Sequence, residues 1–166
     1  MLTELIAKHC IKHGEFKLKN GEISNHYFDI KNIISNPFLL RKVGDELYNL
    51  LGDFDIICGI PFGGLPIATY ISTKYDKPLI FVRDKQKNYG TQKLIEGTFN
   101  KTDKCVIIDD VITTGNSIIE TYNVLKDKVN IVEIGVVLDR QTNNPISINN
   151  TKLNALFYKS DFGLSI

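Results

Sequence analysis

Cys105-Val106-Ile107-Ile108-Asp109-Asp110-Val111-Ile112-Thr113-Thr114-Gly115-Asn116-Ser117 is the segment on which the reading of this 166-residue chain turns. Its four leading apolar residues read as a buried strand that ends in two adjacent acids. The chain then turns through small hydroxyl residues and Gly115 into a helix expected over residues 115–126. In an open α/β sheet, ligands gather just beyond the carboxyl ends of the strands. Thr113 to Ser117 would present backbone N–H groups and hydroxyls there, at a helix N-terminus, which is a ready anion site. Asp109 and Asp110 would repel the same anion; they suit ribose hydroxyls, or a cation reached through water. For Thr113-Thr114-Gly115 alone, a plain strand–turn–helix with Asp110 and Thr113 as caps would be the preferred account.

Working outward, short apolar runs over residues 54–59, 78–82 and 131–138 read as further strands, with a helix over 64–74 between the first two. Strands this apolar, separated by helices, predict a mostly parallel central sheet covered on both faces, an α/β fold. Upstream, residues 2–11 have helical spacing with Thr3 as N-cap, and residues 26–34 read as a strand. Asn36-Pro37 opens a second helix with Leu39, Leu40, Val43, Leu47 and Leu50 on one face. Residues 84–97 form a polar, charged loop long enough to be functional, and the Asn-rich residues 141–154 read as turns. No internal repeat or second domain is evident, so residues 1–166 are expected to form one domain with an N-terminal hood over 1–34.

Composition excludes several classes. Apolar residues make up 43% and charged residues 23%, which is ordinary for a globular protein, and a net charge of +1 speaks against a nucleic-acid binder. Cys10, Cys58 and Cys105 are far apart, which argues against a disulfide framework or zinc site and for a reducing compartment. No apolar run approaches the ~20 residues that span a bilayer, and the start lacks a leader pattern. No membrane association and a cytoplasmic location are therefore expected. Gly59-Ile60-Pro61-Phe62-Gly63-Gly64 has Walker A glycine spacing, but Leu65 stands where the lysine must be. Gly63 and Gly64 then either let a backbone turn approach a ligand or simply satisfy turn geometry. His9 and His13 lack the following glutamate of a zinc helix, and His26 reads as a turn residue.

Every position from Cys105 to Ser117 fits the thirteen-residue signature of the type I phosphoribosyltransferases, which this segment resembles. Three other stretches resemble the orotate branch of that family, and especially the transferase half of UMP synthases. They are Phe16-Lys17-Leu18-Lys19-Asn20-Gly21 with Tyr27-Phe28-Asp29, the proline-flanked turn from Ile60 to Ala68, and Arg83, Lys87, Tyr89-Gly90 and Glu96-Gly97. The usual loop reads Arg-Lys-x-x-Lys-x-His-Gly, and tyrosine for that histidine is a feature of the synthases. With Leu138-Asp139-Arg140 the resemblance spans residues 14–140.

The resemblance implies a type I phosphoribosyltransferase fold and transfer of the 5-phosphoribosyl group of phosphoribosyl pyrophosphate (PRPP) to orotate. By it, Asp109 and Asp110 hold the ribose hydroxyls, and Val111, Ile112, Thr113, Thr114, Gly115, Asn116 and Ser117 line the 5-phosphate cradle. Phe62, Gly63, Lys19, Arg83, Lys85, Lys87 and Tyr89 meet the pyrophosphate side. Arg140, Tyr27, Phe28, Thr113 and Lys19 receive orotate, whose planar carboxylate suits a guanidinium better than an ammonium. As pyrophosphate leaves, negative charge builds on it, and a lid of cations stabilises it there. Residues 83–93 hold Arg83, Lys85, Lys87 and Lys93 against Asp84, a net +3, and Lys87 is the expected main catalytic group, with Arg83, Asp109 and Asp110 beside it.

Mg²⁺ is the implied cofactor, held through PRPP and water rather than by protein ligands. A homodimer is implied too, with the 84–97 loop shared across the interface. No decarboxylase half is present, so association with a separate orotidine-monophosphate decarboxylase is the further partner considered. Two positions depart from the family: Asp84 stands where a second lysine is usual, and Gly63 where many single-function relatives carry lysine. The rivals are a transferase for another base, a non-enzymatic PRPP sensor, and a degenerate relative inactivated by Asp84.

Overall fold

The structure is a computed structural model and describes residues 1–17, 21, 23–83, 93–141 and 146–163. It opens with α1 (Leu2–Cys10), a hairpin of β1 (Ile11–Lys17) and β2 (Ile23–Phe28), and a 3-10 helix (Ile30–Ser35). There follow α2 (Pro37–Leu50), β3 (Ile56–Gly59), α3 (Gly64–Tyr75), β4 (Leu79–Val82), β5 (Ile95–Glu96) and β6 (Lys104–Ile112). The chain ends with α4 (Asn116–Leu125), β7 (Asn130–Asp139), β8 (Lys152–Tyr158) and a 3-10 turn (Lys159–Phe162).

The main sheet has the order β5-β4-β3-β6-β7-β8, parallel except for β5 at the edge. Side chains alternate across it as strand geometry requires. Val106 and Ile108 pack with Val43, Leu47, Ile67 and Ile71 of α2 and α3, while Cys105 and Ile107 pack with Ile118 and Leu125 of α4. Helices on both faces are what a parallel sheet of such apolar strands needs. From β3 the chain runs by α3 to β4 on one side, while β6 lies on the other. The crevice between the carboxyl ends of β3 and β6 is therefore a topological switch point.

The start of α2 follows its sequence signals. Asn36 caps it by accepting from the Leu39 N–H at 3.1 Å, and Pro37 takes the first turn. Leu39, Val43 and Leu47 are buried, but Leu50 is 42% exposed, and Leu51 rather than Leu50 packs against the core at the end of the helix. Across the α2–α3 contact, Asp45 accepts from Tyr70 Oη (2.8 Å), Tyr75 Oη (2.9 Å) and Lys74 Nζ (2.6 Å). Burial alone would raise the Asp45 carboxyl, but hydrogen bonds from Lys74, Tyr70 and Tyr75 hold it below its ordinary range. A depressed folded-state value means the stabilisation is present above the unfolded carboxylate range and lost as pH falls through the folded one. Asp45→Ala is expected to cost about 1–3 kcal/mol at neutral pH, read as a drop of several degrees in Tm, and to cost little in strong acid.

Several expectations are corrected. Thr3 lies inside α1, whose N-cap is Met1, with the terminal ammonium bonded to Glu4. Residues 26–34 are not one strand: β2 ends at Phe28, and Ile30 and Ile33, three apart and both buried, take a 3-10 turn instead. His26 is within β2, paired with His13, not in a turn. β6 does not stop at Ile108 but runs through the acids to Ile112, because β7 is long enough to pair with it as far as Asp139. The 84–97 stretch closes on β5, where Ile95 is buried and pairs with Val82. Residues 152–154, read as turn, open β8, which pairs in parallel with β7.

Candidate active site

The acids owe their position to strand lengths. β3 ends level with Ile108, so Asp109 and Asp110 continue β6 past its neighbour into the crevice. The chain leaving β3 folds back over them: the Ile60 N–H donates to the Ile108 carbonyl at 2.9 Å, and the Pro61–Phe62 peptide is cis. Gly63 has ordinary helical angles, so turn geometry does not demand glycine there. Closeness does, since a Cβ would collide with the Asp110 carboxylate. Gly64 is held as tightly against the Ile108 carbonyl.

Both carboxylates are 7% exposed. Asp109 Oδ1 accepts from the Asp110 N–H at 2.8 Å. Burial, reinforced by the neighbouring Asp110 charge, pushes the Asp109 carboxyl up to about 8. Lys31 Nζ donates to Asp110 Oδ2 at 3.1 Å. Beyond the acids, Gly115 takes φ +73°, a left-handed conformation natural to glycine, and starts α4 with no side-chain cap. Thr113, Thr114, Asn116 and Ser117 are exposed around that helix start. With no side-chain cap on them, the leading N–H groups of that helix have the chemistry of an anion site.

Arg140 follows β7 and closes the other end. Its N–H donates to the Ile112 carbonyl at 2.9 Å, and its guanidinium lies 5.1 Å from the Phe28 ring centre. Its Nε is buried with no hydrogen-bond partner among the described residues. Burial pushes the guanidinium below its usual range, with Tyr27 opposing. A guanidinium keeps its proton regardless, so the half-buried Arg140 is a cation with no anionic partner among the described residues.

One cavity of about 460 Å³ joins these parts, lined by Tyr27, Phe28, Lys31, Phe62, Gly63, Asp109, Asp110, Val111, Thr113, Ser117 and Arg140. Of the other expected residues, Ile112 is 1% exposed and packs in the core, so only its backbone is near the site. Arg83 lies apart from this cavity. It borders an adjoining one of about 230 Å³ that shares Ile60, Pro61 and Ser117, and its guanidinium is paired with Glu96 at 3.0 Å. Lys19, Lys85, Lys87 and Tyr89 lie outside the described residues. Lys31 was not expected, because its partner Asp110 is 79 residues away in sequence and no local pattern announces the contact. Among the described residues no three or more His, Cys, Asp or Glu side chains converge as a metal cage, and no helix is long and apolar enough to cross a membrane.

The family model of the phosphoribosyl transferase domain matches residues 29–148, which makes the class of protein defined by this fold and crevice a phosphoribosyltransferase. Orotate phosphoribosyltransferase of Pyrococcus horikoshii is 40% identical over 146 residues, covering 85% of this chain and 78% of its own. Uridine 5'-monophosphate synthase of Bos taurus is 38% identical over 146 residues, covering 85% of this chain but 30% of the synthase. The crystal structure of orotate phosphoribosyltransferase from Aeropyrum pernix superposes with a TM-score of 0.82 at 26% identity, covering 98% of this chain and 96% of that one. The chain belongs to the orotate phosphoribosyltransferase family.

Proposed function

We propose that this cavity binds PRPP and orotate together and that the chain makes orotidine 5-monophosphate and pyrophosphate from them, a step of pyrimidine biosynthesis. The observation that carries the reading is Arg140, whose buried Nε has no partner among the described residues and which shares a cavity with a carboxylate pair and an uncapped helix start. A planar carboxylate answers the first, ribose hydroxyls the second and a phosphate the third.

In this reading Asp109 and Asp110 accept hydrogen bonds from the ribose 2- and 3-hydroxyls, and the N–H groups of Thr113 to Ser117 hold the 5-phosphate. Arg140 grips the orotate carboxylate with the ring held beside Tyr27 and Phe28. That fixes orotate N1 against ribose C1, and such fixing removes much of the entropic barrier. The C1–oxygen bond to the diphosphate breaks, N1 bonds to C1 and gives up its proton to the leaving pyrophosphate or to water, and pyrophosphate departs. Arg83, Lys85, Lys87, Lys19 and Tyr89 complete the diphosphate side, with Lys87 the main group stabilising the charge that develops there. Arg83 would have to leave Glu96 to take part.

Mg²⁺ would be held through PRPP and water beside the Asp109 and Asp110 carboxylates of the cavity wall, where it would neutralise charge on the diphosphate. The same reading gives a homodimer in which one subunit's 84–97 segment serves its partner's site. It also gives a cytoplasmic enzyme, consistent with three buried, free cysteines, whose product is the substrate of an orotidine-monophosphate decarboxylase.

The test is base selection. With PRPP and Mg²⁺, pyrophosphate release is expected with orotate and to be lower by about a hundredfold or more in kcat/KM with uracil, which lacks the carboxylate. Turnover of adenine or hypoxanthine with none of orotate would overturn the assignment.

A further inference from the structure

Lys31 has no part in the reaction as drawn above, yet it reaches into the cavity. It stands in the 3-10 helix Ile30–Ser35 of the hood, and its ammonium contacts Asp110 Oδ2 at 3.1 Å. The partners differ sharply: the Lys31 side chain is 60% exposed and that of Asp110 is 9%. An exposed, flexible ammonium on a fixed carboxylate makes a bond that is given up with little loss.

Charge around this bond is finely divided. Asp29 is already paired with Lys12 at 2.8 Å, which leaves Asp109 and Asp110 against Lys31 and Arg140 on the described cavity wall. With Asp109 held toward its neutral form, a donor with several phosphate charges meets only Lys31 and Arg140 as cations on that wall, and Lys31 is tied to Asp110. Arg140 is committed to the end of the cavity formed by Phe28. From the opposite side, the turn over residues 60–63 can bring no side chain at Gly63, because any Cβ there would strike the Asp110 carboxylate. Among the described residues, Lys31 is the cation that reaches this point from across the cavity.

We propose that Lys31 is a further substrate-binding residue, which exchanges Asp110 for the diphosphate of PRPP when the ribose hydroxyls take up the Asp110 carboxylate. The inference rests on the reading of the cavity as a PRPP site. Hydroxyl donors arriving at Asp110 compete for the oxygen that Lys31 uses. The four-carbon stem lets the ammonium move without disturbing the hood. A diphosphate is then the stronger partner, being more highly charged than one carboxylate.

The test compares two ligands on three proteins by calorimetry in the presence of Mg²⁺. PRPP and ribose 5-phosphate share the sugar hydroxyls and the 5-phosphate, and only PRPP carries the diphosphate. Lys31→Met is expected to weaken PRPP at least about tenfold and ribose 5-phosphate by less than about twofold, with Lys31→Arg recovering most of the loss. Lys31→Gln repeats the comparison should the methionine variant lose its fold. Equal weakening of both ligands would mean that Lys31 acts only through Asp110 on the sugar, and unchanged PRPP binding would make it a bystander; either result overturns the proposal. A wild-type protein that binds neither ligand would refute the PRPP reading itself, which is a separate outcome.

Discussion

Asp109→Asn is expected to give a protein that is more resistant to heat and about a hundredfold or more less active. The two effects share one cause. Burial and the neighbouring Asp110 push the Asp109 carboxyl up to about 8, so at neutral pH the empty fold works against its ionisation. A raised acid value means that the fold binds a proton the unfolded chain has already released. Its stability therefore declines as pH rises from the ordinary carboxylate range toward about 8, and is flat beyond. Asparagine removes the charge but keeps an oxygen for the Asp110 N–H. Tm should rise in the variant by an amount worth roughly 1–3 kcal/mol at alkaline pH and shrink toward zero in acid. The same substitution removes a charged acceptor for a ribose hydroxyl, and with it the activity. Thermal unfolding across pH, paired with pyrophosphate release, checks both halves. A variant less stable than wild type at alkaline pH would mean that the Asp109 charge is compensated by something not seen here.

Arg140→Ala should raise the Michaelis constant for orotate ten- to hundredfold, because it removes a charge-assisted pair worth ~1.5–3 kcal/mol. PRPP affinity should hold, since the carboxylate pair and the start of α4 are untouched. Arg140→Lys should recover only a small part, as an ammonium cannot match a carboxylate with two parallel bonds. Steady-state kinetics with each substrate varied in turn separate the constants. A fall in PRPP affinity with orotate binding intact would show that Arg140 belongs to the donor side.

The segment from Cys105 to Ser117 was legible because its meaning is local: apolar strand, acids, small turn and helix start follow one another in sequence and in space. Arg140 could be read as well, since it follows a strand whose carboxyl end had to face the crevice. What failed was set by partners far along the chain. β6 runs past Ile108 because β7 pairs with it to Asp139. β8 was hidden by the asparagines before it and exists because β7 offers it an edge. β5 and the Arg83–Glu96 pair depend on β4, and their charged composition reads as loop until the hairpin is seen. Lys31 carries no motif, and only the fold brings it to Asp110.

The central claim is that one cavity brings a ribose, held by Asp109 and Asp110, against an orotate held by Arg140. Phosphorus NMR of PRPP with Mg²⁺ and the wild-type protein tests it most directly. The account predicts that orotidine 5-monophosphate and pyrophosphate appear in equal amounts, and only once orotate is added. Ribose 5-phosphate formed without orotate, or PRPP left intact with orotate present, would contradict it.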